Sequence, residues 1–592
     1  MLGELIMIKK IELQIYRRQY LLVLSILYLV LTIFMVYPFF ETHHIVAFSD
    51  WSFHASRVEQ IYRNMCEGHL FTFISTSTFS STGVGSFLFY PTLFLYPWVI
   101  LRFIFNPVNS FYVWYGIVTL CTFYIAHYSM KKFSCNTLQS IVFSILYTMI
   151  SAHRIYLGPY GYVLGEFVAY TFLPLVFVGL FEVFCEKNSL HLGIGMALVF
   201  YSHILSIVLL VEILSSIFIL YITLNFRYGE KLLKVVKILF KNIAVTVLLV
   251  LPIIIIFVEN FIGKGISSTY SGISIVKDFT DLFSQSLNNN YGIGISIGLP
   301  LMIALFFGWI WIRNEKIYLF TYFCAVFLTA VSTKIFPWYL LSGTFFGIVQ
   351  MPWRYLPYAS LMLSVVLSKG IIQLLQNVKA RKPKNYAVVS LIGLGCLLYL
   401  GGVGNILSQE KQNNFISSLK EKSGTGDVLP LTYVVNKNNY RNQFQYAVKI
   451  GETDYYPKTS LKYAGNIIQH IGYINGREKR IIPSADANQL TYRLMLKKKS
   501  RVDLPAIVYA NSIIKLNNKK VDYKISKRGT PLINTEKGEN KIQVKFHETK
   551  IFYVSMLITV LTWLVFVLRD VKKLAIFNKF EEHPIKWYHK NC

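Results

Sequence analysis

Charge is scarce in this sequence, and acid is scarcer than base. Only 15% of the 592 residues are charged, with 30 Asp and Glu set against 59 Lys and Arg. Soluble domains carry about 25% charged residues, so a free-standing globular enzyme is excluded. Cysteine is sparse too. The seven (66, 121, 135, 185, 324, 396 and 592) are scattered, mostly in or beside apolar runs, with no CxxC pair. Neither a disulfide framework nor a thiolate metal site is supported. The patterns GxxxxGK(S/T), HExxH and metal-spaced His/Cys pairs are absent, so phosphate-loop and zinc-peptidase chemistries lack their residues. The strings "GIGIS" and "GLGC" lie at or inside apolar runs and read as helix-packing glycines. No internal repeat or low-complexity tract is present.

What the chain has instead is apolar length. Hydrophobic residues make up 54% of it, and mean hydropathy is +0.46. Runs of about 18–25 apolar residues, enough for a helix to cross the hydrocarbon core, recur along most of it. They predict a polytopic α-helical membrane protein of 12–13 transmembrane helices. Candidate crossings are 20–40, 110–130, 137–151, 163–185, 190–202, 205–225, 235–258, 295–312, 317–332, 355–375, 386–405 and 551–568. The first is too long for a signal-peptide core and lacks a small-residue cleavage site, so it reads as a retained helix. A thirteenth candidate, 86–105, contains "FYPTLFLYPW" and fits a helix lying in the outer interface.

Short basic loops stay cytoplasmic, which orients the chain. Lys9, Lys10, Arg17 and Arg18 place the N-terminus inside. Lys131/Lys132, the 227–241 segment, Arg313/Lys316, the 379–384 hairpin and 569–573 agree if twelve helices cross and 86–105 does not. A membrane domain over 1–407 then presents outer loops at 41–105, 259–294 and 334–354. A domain at 408–550 lies outside, 551–568 forms a last crossing, and 569–592 is a cytoplasmic tail. The expected location is a bacterial cytoplasmic membrane.

The net charge of +29 is concentrated. Residues 410–550 hold 26 basic side chains against 12 acidic ones, a surplus of 14. Such a block suits anionic partners: lipid headgroups, lipid-linked phosphates or a phosphate-bearing polymer. No nucleic-acid-binding motif accompanies it. From about 501 it reads as strands between turns, "AIVYAN", "SIIKLNNKKVDYKIS" and "KRGTPLINTEKGENKIQVKF", with Asn-Asn, Arg-Gly and Lys-Gly marking hairpins. A small β-sandwich is expected there.

Three stretches hold residues that could do chemistry. In "VAFSDWSFHASRVEQIY" a helix starting at Asp50 places His54 and Arg57 at i+4 and i+7, on one face. Asp50 is either an N-terminal cap or a general base for an incoming hydroxyl. Arg57 either touches lipid phosphate or holds a phosphate leaving group. In "GPYGYVLGEFVAYTFLPL", Glu166 lies one turn into hydrocarbon, where a carboxylate is a functional candidate or compensates the helix dipole. His153 and Arg154 precede it. In "GIVQMPWRYLPY", Trp353 and Arg354 form an aromatic-belt anchor or a phosphate clamp. His203, in "FYSHILS", interrupts an apolar run as an outer turn residue.

In this order the motifs "SDWSFHASR", "FYPTLFLYPW", "GYVLGEFVAYTFLPL", "SHILS", "VQMPWRYLPY" and "VDLPAIVYANSIIKLNNKK" resemble the YfhO-like bacterial membrane proteins. They also resemble the neighbouring pyruvoyl-tetrahydropterin-synthase-related membrane family. Both resemble the GT-C class of lipid-dependent glycosyltransferases. The resemblance implies an outward cavity, a polyprenyl-phosphate sugar donor and inversion at the anomeric carbon. It implies Asp50 as base, Arg354 on donor phosphate and a less defined role for Glu166. This chain has one loop acid where better-known GT-C members have an adjacent pair, so no metal is predicted, and no cofactor besides the lipid-linked sugar. The expected acceptor is an anionic cell-envelope polymer, a teichoic acid or wall polysaccharide. Two rivals share the helices and basic patches: a transporter or flippase of lipid-linked saccharides, and a non-catalytic envelope-assembly protein.

Overall fold

The computed structural model describes residues 2–267, 272–292, 294–341, 343–376, 381–412, 419 and 426–577. Most of the tail expected at 569–592 lies outside that set. Thirteen helices carry the architecture: α1 Leu2–Phe40, α2 Trp51–Cys66, α3 Pro107–Ser134, α4 Thr137–Ile145, α5 Leu164–Phe184, α6 His191–Phe200, α7 Ile204–Asn225, α8 Gly229–Asn260, α9 Leu299–Ile312, α10 Lys316–Val331, α11 Leu356–Gln376, α12 Arg381–Gln412 and α13 Lys550–Phe577. Among the described residues eight helices are long and apolar enough to cross a membrane. A pair bent by 51° at Ser151 makes a ninth, and α6, α9 and α10 are shorter apolar helices. Every predicted crossing falls on one of these segments.

Local chemistry sets their ends. Asn106 accepts from the N–H groups of Val108 and Asn109 at 3.1 and 3.0 Å and precedes a proline at the first turn of α3, the arrangement that satisfies free N–H groups. Asn136 does the same for α4, accepting from Gln139 N–H at 3.0 Å. α5 is buried on nearly all sides, the property of a bundle-centre helix rather than a lipid-facing one.

Segment 86–105 is not one helix. It breaks into short pieces at Ser86–Phe89, Leu93–Leu95 and Tyr96–Leu101, because Pro91 interrupts the run. None is long enough to cross a membrane. In the last piece Trp98 is fully buried and its Nε1–H donates to Ser110 Oγ at 3.1 Å, while Ile100 and the following Phe103, Ile104 and Phe105 are exposed.

The C-terminal region is antiparallel. β1 (His44–Ala47) in the first loop pairs with β2 (Tyr433–Asn436), tying the two regions together. Then follow β3 Ile471–Ile474, β4 Arg477–Arg480, β5 Ser484–Asp486, β6 Gln489–Leu496, β7 Ser500–Asp503, β8 Ser512–Leu516, β9 Lys519–Val521, β10 Lys524–Ile525, β11 Pro531–Thr535 and β12 Gly538–Phe546. They form two five-stranded sheets, β10-β11-β7-β3-β4 and β5-β6-β12-β8-β9. Inner residues of both sheets, among them Tyr492, Val502, Ile533 and Ile542, share one core, as in a sandwich.

Strands therefore begin upstream of Arg501. The β3–β4 hairpin has four exposed residues in β4, so no alternation marked it. "AIVYAN" is not a ladder strand. Ile507 N–H donates to Thr82 O at 2.8 Å and Tyr509 Oη receives Gly85 N–H at 2.7 Å, so its apolar residues dock the sandwich onto the first loop. Asn517-Asn518 does form a hairpin turn, with φ of 48° and 67°, and joins β8 to β9. Lys537-Gly538 instead links β11 to β12, which belong to different sheets.

Candidate functional site

Asp50 directly precedes α2, yet its side chain makes no capping hydrogen bond. Backbone O of Asp50 accepts from His54 N–H at 3.1 Å, while the carboxylate has only Ser49 Oγ, at 3.5 Å. The capping role is therefore absent. Nor is α2 an interfacial helix, because most of its residues are buried. Trp51 Nε1–H donates to Gln443 Oε1 of the C-terminal region at 3.1 Å, and Gln60 Oε1 receives the N–H groups of Thr76 and Ser77 at 2.9 and 2.7 Å. The partly buried Asp50 carboxyl has its pKa pushed up to about 6. Burial is the main cause; Arg354 opposes it, and Asp454 and Glu166 add to it.

Four further segments meet at this end of the bundle. His153, just past the bend after α4, donates Nδ1–H to Gly294 O at 2.7 Å, which turns Nε2 toward Glu166 Oε1 at 3.7 Å. Glu166 stands in the first turn of α5. Its second oxygen faces Arg354 Nε at 4.0 Å and has no hydrogen-bond partner among the described residues. Arg354 is braced from behind by Val349 O at 3.0 Å and Gln350 Oε1 at 2.7 Å. The Trp353 ring lies 5.5 Å from that of His153, edge to face. His203 precedes α7 and its Nδ1 pairs with Ser206 Oγ at 2.9 Å. Burial, with Arg354 nearby, lowers its pKa to about 4 against the opposing pull of Glu166, so it is neutral at working pH.

His54 and Arg57 meet this cluster at Tyr90. Its ring is 5.7 Å from both His54 and His203. The Arg57 guanidinium sits 4.6 Å from the same ring and donates to Tyr90 O and Pro91 O at 2.6 and 2.8 Å. Fully buried, it is pulled down to about 10, chiefly by desolvation, and stays cationic. Burial, then Arg57 and His203, hold His54 well below the usual imidazole range. Arg57 therefore locks the Tyr90 turn, and two of its nitrogens, Nε and Nη1, have no hydrogen-bond partner among the described residues. Tyr90 fits because Gly165 has no side chain: a Cβ there would collide with its hydroxyl.

Arg154 goes elsewhere. Its neighbour His153 faces Glu166, but Arg154 is fully buried on the other side, donating to Thr148 O, Thr119 Oγ1 and Thr122 Oγ1 at 3.2 Å each. Its guanidinium lies 4.7 Å from the Phe167 ring.

Sequence reasoning missed Tyr90, Tyr156, Asp454 and Tyr455. The "GETDYYP" loop of the C-terminal region closes over α2 here. Gly451 has φ +90° and packs on the Phe53 ring, Tyr455 lies 5.3 Å from Phe89, and Tyr456 O receives Ser267 N–H at 2.8 Å. Asp454 is pushed up to about 6 by burial. An acid beside two tyrosines in a polar block was the available signal. Among the described residues no group of three His, Cys, Asp or Glu is placed to hold a metal ion.

No family model matches the chain, and no curated protein does, so the YfhO-like resemblance rests on the motifs alone. Among solved structures, ArnT from Cupriavidus metallidurans bound to undecaprenyl phosphate aligns with a TM-score of 0.38 and 11% identity, over 72% of this chain and 85% of that one. A likeness at that level carries no statement of chemistry. The architecture itself is that of a polytopic helical membrane protein carrying a β-sandwich before its last helix.

Proposed function

We propose that the protein is an inverting glycosyltransferase that works on the extracytoplasmic side of a bacterial membrane. It moves a sugar from a polyprenyl-phosphate donor to an anionic cell-envelope polymer, a teichoic acid or wall polysaccharide. The observation that carries this reading is the convergence of Asp50, His153, Glu166, His203 and Arg354 from separate segments at one end of the bundle, with the Asp50 carboxylate uncommitted to its helix. Asp50 takes the proton of the acceptor hydroxyl as its oxygen forms a bond to the anomeric carbon. The bond from that carbon to the phosphate oxygen breaks, and its electron pair leaves with the polyprenyl phosphate. Arg354 meets the charge that develops there. Glu166 holds Arg354 and His153 in place, and neutral His203 supplies a hydrogen bond. His54 and Arg57 shape the donor side through the Tyr90 turn, and Trp353 does so from beside His153.

The acceptor class rests on the outer face of the second sheet. Arg493 on β6 lies opposite Lys541 on β12, and Lys515 on β8 opposite Lys520 on β9. Like charges directly opposite destabilise a sheet, and none of the four is ion-paired among the described residues, so an anionic chain lying across the strands repays them. Envelope polymers from a deletion strain complemented with wild-type or Asp50→Asn protein test the whole reading by mass spectrometry. Loss of one glycan in both the deletion and the Asn strain is expected. Full modification in a strain whose Asn protein reaches the membrane removes the enzymatic reading of Asp50 and leaves a transporter or a non-catalytic assembly protein.

A further inference from the structure

The end of α5 away from Glu166 borders a different kind of pocket. A crevice of about 280 Å³ opens there between α5, α7, α10 and α11. Its walls are apolar, with Phe177, Phe181, Ile217, Leu224 and Met362 among them. Its polar groups are at the rim. Lys231 at the start of α8 and Lys316 at the start of α10 both line it, and neither forms an ion pair among the described residues. Two neighbouring lysines are already matched, Lys234 with Glu186 at 3.6 Å and Lys369 with Glu315 at 2.9 Å. Tyr221 completes the rim. It is stacked on Phe184 at 4.3 Å, and its hydroxyl is buried with no hydrogen-bond partner among the described residues.

These features define a ligand. A bilayer offers hydrocarbon, not water, to an apolar crevice at this depth, and α7 is poorly packed, with 17% of its apolar window buried. Two unpaired ammonium groups and an unsatisfied hydroxyl at the rim select a phosphate and disfavour a choline beside it. The volume takes part of one chain, and the one wall hydroxyl, Thr321, is already spent on Ile317 O at 2.9 Å, which leaves little for a sugar.

We propose that this crevice holds an acyl chain of an anionic bilayer phospholipid, with its phosphate bound by Lys231, Lys316 and the Tyr221 hydroxyl. The bound lipid wedges α7 against α5 and α10 and stands apart from the cluster around Glu166, so it does not depend on the glycosyl-transfer reading. Native mass spectrometry of the full-length protein in detergent tests it, with dioleoyl phosphatidylglycerol and dioleoyl phosphatidylcholine as probes. The wild type should retain one phosphatidylglycerol with about tenfold preference. Lys231→Gln with Lys316→Gln should bring the two lipids near parity, and Cys324→Trp, which fills the crevice, should reduce retention of both. The lysine variant alters rim residues only, so it keeps the test open if the tryptophan variant does not fold. No preference in the wild type, or an unchanged preference in the lysine variant, overturns the site. Displacement of phosphatidylglycerol by equimolar undecaprenyl phosphate overturns the choice of a bilayer lipid.

Discussion

The two ends of α5 meet opposite surroundings. Near Leu164 the helix is enclosed by charged and polar side chains of both signs, Glu166 with Arg354 and His153, and by loops from across the sequence. Near Phe184 it borders an apolar crevice whose charged lining residues among the described ones are two lysines. Mixed charge held at 3.7–4.0 Å without full pairing is costly in a low-dielectric setting and is kept where chemistry needs it. A basic rim over hydrocarbon costs little, since lysines extend to the interface. Under the proposed readings, one end acts on a ligand and the other holds one.

Substitutions at the polar end should break that contrast most strongly. Asp50→Asn removes the proposed base and should lower transfer by about 10²–10⁴-fold with folding intact, because the side chain caps nothing; circular dichroism and a radiolabelled transfer assay check both halves. Arg354→Gln should cost about 10²–10³-fold, mostly in kcat. Arg154→Gln, one residue from His153, should instead lower the yield of folded protein, since it disturbs the buried Thr119, Thr122 and Thr148 bonds.

The next effect is in pH. Asp50 is held near 6, so its basic form grows as pH rises through 6, and the acid limb of kcat/KM should have its midpoint there. Asp454→Asn removes a neighbouring negative charge, so Asp50 should ionise more easily and the limb should move to lower pH. Stability runs the other way. The raised pKa values of Asp50 and Asp454 mean the fold favours their neutral forms, and that contribution is lost as pH rises from about 4 to 6. Thermal unfolding across this range should show a shallower fall in Asp454→Asn.

The smallest effect concerns the sheet face. Neutralising Arg493, Lys515, Lys520 and Lys541 together should raise KM for a polyanionic acceptor several-fold, with kcat unchanged and a flatter salt dependence. A matched change of four exposed lysines elsewhere should do less.

Much of this was legible in the sequence because long apolar runs have few alternatives. The twelve predicted crossings all fall on helices, and "SIIKLNNKK" turns at Asn517-Asn518 as its residues dictate. Two failures were local, the fully exposed β4 and the run broken at Pro91; the others share one cause, contacts between distant segments. "AIVYAN" looked like a ladder strand, yet its backbone bonds go to the first loop at Thr82. Spacing put Asp50, His54 and Arg57 on one face but could not show that Tyr90 stands between Arg57 and His203. Nor could it show that two adjacent residues, His153 and Arg154, serve different neighbourhoods, or that the 451–456 loop closes over α2.

The central claim is that Asp50 is the proton acceptor at the polar end. The most direct test is the rate of sugar transfer from a polyprenyl-phosphate donor, measured from pH 5 to 8, for purified wild-type and Asp50→Asn protein in the same bilayer. The account predicts a wild-type rate that rises through about pH 6 and an Asn rate at least a hundredfold lower with no such rise. An Asn protein that keeps the wild-type rate and the same pH profile would contradict it.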